Sequence, residues 1–151
     1  MNHQEIKKIN PQRYPIALVD RILSCSATDG IVAIKAVTAT EPCYADIADS
    51  ADISAMAYPN SLMIESFCQA AGPLSAILGL DFPGKVMLFV SMSEVEILGA
   101  AYPGDVMTHH VRVVKLLSDA VVGAGEISVN GEVIMRLGQL MVAARDELKV
   151  A

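Results

Sequence analysis

Residues 58–72 read YPNSLMIESFCQAAG, and this segment predicts a helix that carries a single carboxylate, Glu65. Gln69 follows four residues later and therefore shares a helix face with Glu65. The surrounding positions are mostly apolar, so burial would favour the protonated form and make Glu65 a usable proton donor or acceptor near neutral pH. The alternative is a Glu on the solvent face of an amphipathic helix, the usual location for this residue type.

Length and composition predict a globular protein that self-associates or binds a partner. The chain has 151 residues, which is typical of one domain, so we expect residues 1–151 to fold as a unit. Hydrophobic residues make up 53% of the chain and charged residues only 19%. This composition is more apolar than is usual for a soluble monomer, so we expect part of the apolar surface to be buried in an oligomer.

Charge and hydropathy exclude several classes of function. The net charge is −6 and the sequence has no basic stripe, which argues against nucleic-acid binding. No apolar run reaches about 18 residues, and the N-terminal residues are not followed by the apolar core of a signal peptide. We therefore expect a cytoplasmic protein without membrane spans. Cys25, Cys43 and Cys68 lack metal-like spacing, so we interpret them as reduced small hydrophobes and expect no metal site.

The predicted helix extends over residues 61–78, with Gly79 as its stop and Pro83 just beyond. Before it, residues 39–60 form a long irregular segment, a length that is usually functional in a small domain. Residues 1–12 are polar, and Pro11 ends any early turn.

Strand-like segments flank this helix on both sides. Asp29-Gly30 and Asn130-Gly131 are hairpin turn signals. Two strands, one long helix and then a four-strand meander predict an α+β fold in which an antiparallel sheet wraps around the helix. The predicted strands cover residues 16–25, 31–38, 85–95, 105–117, 120–129 and 132–144.

This order of elements is that of the hot-dog fold, and particular residues carry a closer resemblance. Residues 13–21, RYPIALVDR, resemble the opening strand of the 3-hydroxyacyl-acyl-carrier-protein dehydratases of the FabZ and FabA family. The resemblance spans about residues 10–145, because further segments fit the family in the same order. These are Lys35 with Val37-Thr38, Glu41-Pro42, Pro59-Asn60, Glu65, Gln69 to Gly72 and Pro103-Gly104-Asp105.

The resemblance implies a dimeric enzyme whose site is shared between subunits. In that family a loop His removes the α-proton of a 3-hydroxyacyl thioester, and a helix acid from the other subunit helps expel the 3-hydroxyl as water. Glu65 matches the helix acid, and Gln69 matches a position that would orient its carboxyl group. Asn60 replaces a Gly, and its backbone N–H would polarise the thioester carbonyl.

The resemblance also implies how the substrate is held. The acyl chain would lie in an apolar tunnel along the helix, for which Leu62, Phe67 and Cys68 are the candidate lining residues. No cofactor is expected, because an acyl carrier protein delivers the substrate on its phosphopantetheine arm.

The chain departs from the family at the catalytic loop. The family's loop contains His-Phe-Pro-Gly-His-Pro, whereas residues 44–58 contain no His and form a loop about four residues longer. His3 falls in a tail expected to be mobile, and His109 and His110 point to opposite faces of a strand, where structural roles are expected. Loss of a general base costs about 10²–10⁴-fold in rate, so a homodimer is expected to be inactive or slow.

Loop residues are weaker candidates to replace the missing His. Asp46, Asp49 and Asp52 recur every three residues, and Tyr58 at the end of the loop could instead hydrogen-bond a hydroxyl or the carbonyl. An Asp with an ordinary pKa of about 4 is a poor base for an α-proton. The alternative interpretation is a solvated acidic loop.

Three functions remain open at this point. The first is a subunit of a heterodimeric dehydratase in fatty-acid or polyketide (polyene) biosynthesis, in which a His-bearing partner supplies the base and this chain supplies Glu65. The second is a hot-dog thioesterase that uses Glu65 alone. The third is a non-catalytic acyl-binding or scaffolding subunit. Residues 41–82 contain no Lys or Arg, so a partner subunit would carry the patch that docks an acidic carrier protein.

Overall fold

A computed structural model describes residues 1–79 and 85–146. The helices are α1 (His3–Ile9), α2 (Asn60–Ala71) and α3 (Leu74–Ile77). The strands are β1 (Arg21–Ser26), β2 (Gly30–Ala36), β3 (Lys85–Ile97), β4 (Val106–Leu116), β5 (Ala120–Val129) and β6 (Glu132–Asp146). None of the described helices is both long and apolar enough to cross a membrane.

The six strands form one antiparallel sheet in the order β1-β2-β4-β5-β6-β3. Helix α2 packs on this sheet with a fully buried face that includes Met63, Phe67 and Ala70. These three positions are spaced four and three residues apart, which places them on one side of a helix. The predicted α+β arrangement of a sheet around one helix is therefore confirmed.

Two helical predictions need correction. The predicted helix over 61–78 is broken at Gly72-Pro73 and continues only as the short α3. Pro73 has no N–H to donate and its ring disfavours a continuous helix, so the break is a local effect. Near the N-terminus, residues 3–9 form a helix where a mobile tail was expected, because Asn2 and Glu5 build a capping box.

Two strand predictions also need correction. The first strand begins at Arg21 rather than at residue 16, because the backbone of residues 16–18 bonds to a helix side chain instead of to a neighbouring strand. Strand β3 lies beside β6 at the far edge of the sheet, so only β4, β5 and β6 form a meander. The partner of β3 is set by long-range packing, which the local sequence pattern does not encode.

The turn signals behave as predicted. Asn130 and Gly131 have φ values of 51° and 86°, as a type I′ hairpin requires. Gly79 follows α3 with a φ of 63°, so it ends the helical segment as expected. The expectation for Pro83 lies outside the described residues.

Gly125 on β5 allows α2 to pack closely on the sheet. A Cβ atom at this position would overlap the carbonyl oxygen of His110 and lie 2.9 Å from Cζ of Phe67. We expect Gly125→Ala to lower the free energy of unfolding by about 1–3 kcal/mol in urea denaturation, because the strand or the Phe67 ring must move. At Gly123 an added Cβ would meet nothing nearer than 3.4 Å, so Gly123→Ala is the matched control. Equal unfolding free energies for the two variants would contradict this account.

Candidate functional site

Glu65 is half-buried on α2 and its carboxylate is held by Gln69. Nε2 of Gln69 donates a hydrogen bond to Oε1 of Glu65 at 2.8 Å. This contact joins residues four apart on one helix face, the spacing noted in the sequence. Oε1 therefore has a fixed direction.

Gln69 is itself anchored by the segment that precedes β1. Its Nε2 also donates to the carbonyl of Ile16, and its Oε1 accepts from the N–H of Leu18, both at 2.8 Å. Asn10 adds a fourth bond, because its Nδ2 donates to the backbone carbonyl of Gln69 at 2.8 Å. Gln69 is only 3% exposed, so these bonds lie in a low-dielectric setting that holds the amide in one orientation.

The start of α2 offers free backbone donors. The helix begins at Asn60, which is exposed, after the N-cap residue Pro59, and no side chain in the described residues caps it. The first N–H groups of an uncapped helix have no intrahelical acceptor and carry a partial positive charge. Asn60 lies about 7–8 Å from Glu65 along the helix axis, at 1.5 Å per residue.

An apolar groove of about 530 Å³ runs between the N-terminal segment, the second half of α2 and the start of β3. Of the three predicted tunnel residues, Cys68 lines this groove, Phe67 is sealed in the core, and Leu62 is half-buried outside the lining. Burial raises the pKa of Cys68 to about 12, so its thiol stays neutral. Apolar lining residues include Ile9, Ala71, Leu74, Met87, Phe89 and Val142.

The loop acids are exposed to solvent. Asp46, Asp49 and Asp52 all lie on the surface of the segment between β2 and α2. Asp52 accepts a hydrogen bond from the N–H of Ser54 at 2.9 Å. The backbone and side-chain hydrogen bonds from Ser54 lower the pKa of Asp52, which makes its carboxylate a weaker base. These positions fit the solvated-loop alternative.

Tyr58 is buried, whereas a residue that replaces the missing loop His would have to reach the substrate. Its side chain is only 1% exposed, and burial raises the pKa of its hydroxyl further above the ordinary value of 10. The hydroxyl has no hydrogen-bond partner within the described part of the chain. A buried, neutral phenol cannot take an α-proton from a substrate in solvent, so the hypothesis of Tyr58 as the base needs correction.

The two neighbouring histidines of β4 differ in burial. His109 is fully buried and His110 is exposed, which confirms that they point to opposite faces of β4. Nε2 of His109 lies 2.8 Å from Oγ of Ser66, and that hydroxyl donates to the carbonyl of Met63. The hydrogen bond between His109 and Ser66 fastens α2 to the sheet.

Lowering the pH from 6.5 to 4 is expected to destabilise the fold by about 3 kcal/mol through His109 alone. Burial lowers the pKa of His109 from 6.5 to about 4, so the unfolded chain binds this proton first. Stability is therefore complete above pH 6.5, falls as the pH drops, and stops falling near pH 4. Urea denaturation across this range should show a shallower slope for His109→Gln than for the wild type. His110→Gln is the exposed control, and an unchanged slope in the His109 variant would contradict the assignment.

A buried ion pair beneath the loop was not predicted. Nζ of Lys35 lies 2.7 Å from Oε1 of Glu41, with the side chains 5% and 13% exposed. A lysine within the apolar β2 segment was the available signal, since a buried charge requires a partner. Which acid would pair with it was not visible locally.

The fold and the site together define a hot-dog protein with an acid on its central helix. Solved structures with this fold include the dehydratase heterocomplex ApeI:P from Xenorhabdus doucetiae, with a TM-score of 0.73 and 17% identity over 94% of this chain and 91% of that one. Another is a hypothetical thioesterase with coenzyme A from Streptococcus pneumoniae, with a TM-score of 0.59 and 16% identity over 84% of this chain and 88% of that one.

Sequence comparison places the chain in a particular family. The family model described as the FabA-like domain matches residues 10–137. The 3-hydroxyacyl-[acyl-carrier-protein] dehydratase FabZ of Roseiflexus castenholzii is 33% identical over 147 residues, which cover 97% of this chain and 99% of that protein. The chain therefore belongs to the FabA-like family and is a homologue of the FabZ dehydratases.

Proposed function

We propose that this chain is one subunit of a two-subunit dehydratase that acts on 3-hydroxyacyl thioesters carried by an acyl carrier protein. The observation that carries the proposal is the half-buried Glu65, oriented by Gln69, in a chain whose loop before α2 contains no His. His109 is sealed in the core, and we propose that a partner subunit provides the base.

In the proposed reaction each group has one role. A His of the partner takes the proton from C2 of the substrate, and a double bond forms between C2 and C3. The bond between C3 and its hydroxyl oxygen breaks, and protonated Glu65 gives its proton to that oxygen, so that water leaves. Gln69 donates to Oε1 of Glu65, which leaves the proton on Oε2 to face the hydroxyl. The N–H groups at Asn60 are proposed to bind a thioester carbonyl.

The groove along α2 is the proposed site for the acyl chain. The groove passes Gln69, the partner of Glu65, and it has a mainly apolar lining and a volume of about 530 Å³. Such a lining stabilises a hydrocarbon chain through the burial of apolar area. We propose on the same grounds that the chain acts in fatty-acid, polyketide or polyene biosynthesis, since all three build acyl chains on carrier proteins.

The partner is proposed to bind at β3. This strand pairs with β6 on one side only among the described residues, and it exposes a row of apolar side chains. An exposed apolar edge strand pairs readily with a strand of another chain. The side chains concerned are Val86, Leu88, Phe89, Val90 and Met92, each between 37% and 50% exposed.

The decisive experiment is reconstitution. A 3-hydroxyacyl-carrier-protein substrate is incubated with this chain, with a His-bearing homologue from the same organism, and with both, and the loss of water is followed by mass spectrometry. To assign the base, the loop His of the homologue is replaced by Ala. Activity that requires both chains and that loop His supports the proposal. The absence of water loss in every mixture would refute it.

A thioesterase is the second candidate, because Glu65 is reachable and needs no partner residue to activate a water molecule. The isolated chain would then hydrolyse acyl thioesters, and Glu65→Gln would abolish the hydrolysis. Neither activity, together with a stable complex with the homologue, would indicate an acyl-binding or scaffolding subunit instead.

A further inference from the structure

The Lys35 ammonium group contacts residues at both ends of the loop between β2 and α2. Glu41 precedes the short 3-10 helix Pro42–Tyr44 that opens the loop. Nζ of Lys35 also lies 5.3 Å from the ring centroid of Tyr58, within the range of a cation–π contact. Tyr58 closes the loop just before α2, so one ammonium group contacts both of its ends.

The same cluster connects to a second turn. The N–H of Tyr58 donates to the carbonyl of Ala101 at 2.8 Å. Two more backbone bonds tie the end of β2 to the following turn, from Gly104 to Val37 and from Val37 to Asp105, both 2.9 Å long. The start of α2 is therefore held between the Lys35 cluster and the turn at residues 101–105.

Stability alone does not explain a buried ion pair. Desolvation of two charges often cancels their attraction, and apolar residues of similar volume frequently give an equally stable or more stable fold. The middle of the loop is largely exposed: Tyr44 is buried, and Cys43, Ile47 and Met56 are partly buried against the core. A segment with so few buried side chains opens locally at low cost, so contacts at its ends contribute to its order.

We propose that Lys35 is a positioning residue, which through Glu41 and Tyr58 holds loop 42–57 and the first N–H groups of α2 in place. The functional part of this inference rests on the proposed function, since those N–H groups are the ones assigned to a thioester carbonyl. The positioning itself is a property of the isolated chain.

Hydrogen–deuterium exchange on the full chain tests the positioning directly. We expect Lys35→Met to raise exchange rates at least 10-fold in peptides from residues 42–57 and from the first turn of α2, with β5 and β6 unchanged. The double variant Lys35→Met/Glu41→Leu should recover the melting temperature by removing the unpaired charge, yet keep the fast loop exchange. Recovery of both would overturn the proposal, because the pair would then act only on stability.

Tyr58→Phe is the matched control, since it keeps the ring under the ammonium and removes only the buried hydroxyl. It should leave loop exchange unchanged. Glu41→Gln provides a second variant with a smaller change in case Lys35→Met does not fold, and it too should accelerate loop exchange. Slow loop exchange in folded Glu41→Gln would overturn the proposal.

Activity provides the functional readout. In the two-subunit mixture, the double variant at equal folded fraction should raise KM for the thioester about 10-fold, with a smaller change in kcat. An unchanged KM would overturn the link to thioester binding. If the wild-type mixture is inactive, the proposed function fails, whereas the exchange result still decides the positioning role.

Discussion

Glu65→Gln is expected to lower the rate of dehydration by the two-subunit mixture by about 10²–10⁴-fold, the usual contribution of a general acid. The amide cannot give a proton to the leaving hydroxyl, but it preserves the size of the side chain and can still accept the hydrogen bond from Gln69. The loss should therefore fall on kcat, with KM nearly unchanged. Steady-state kinetics with a 3-hydroxyacyl-carrier-protein substrate measures both.

Glu132→Gln is the matched control for this prediction. Glu132 is exposed at the β5–β6 hairpin and far in sequence from the site, and its replacement makes the same change in charge. It should leave kcat and KM as they are. Equal losses in the two variants, or full activity in Glu65→Gln, would remove Glu65 from the mechanism.

Gln69→Ala is expected to reduce the free energy of unfolding by about 2–4 kcal/mol, since each buried polar group left without a partner costs about 1–3 kcal/mol. Removal of the amide leaves the N–H of Leu18 without its acceptor and the carbonyl of Ile16 without its donor. Urea denaturation measures the loss. Hydrogen exchange in residues 10–18 should rise in parallel, because this segment loses its attachment to α2.

Gln139→Ala provides the comparison, because Gln139 is exposed on β6. Its unfolding free energy should differ from that of the wild type by less than about 0.5 kcal/mol, as for most surface changes. A similar small effect for Gln69→Ala would show that solvent replaces the lost hydrogen bonds. In the two-subunit mixture Gln69→Ala should also lower kcat, since Glu65 loses the donor that fixes its orientation.

Local sequence signals predicted the elements whose formation depends on near neighbours. The Asn130-Gly131 hairpin follows from two residues that tolerate positive φ, and the Glu65–Gln69 contact follows from helix geometry. The break at Pro73 was also a local signal, but the prediction of one helix over residues 61–78 did not take it into account.

Contacts between residues distant in sequence were not predictable in this way. The pairing of β3 with β6, the bonds from residues 16 and 18 to Gln69, and the Lys35–Glu41 pair each depend on how whole elements pack. Burial likewise decided the state of Tyr58, which the sequence offered as a base and the structure places in the core. A one-dimensional pattern does not report the exposure of a single aromatic side chain.

The sequence by itself determined that one carboxylate and one amide share a helix face, that the preceding loop contains no His, and that the chain resembles the FabA-like family. These properties depend only on residue identity and short-range spacing. Only the tertiary structure decided that Gln69 is locked by the N-terminal segment, that His109 is sealed under α2, and that Lys35 joins the two ends of the loop. Such contacts arise because a buried polar group without a hydrogen bond is costly, so most buried polar groups are paired with groups that folding brings close.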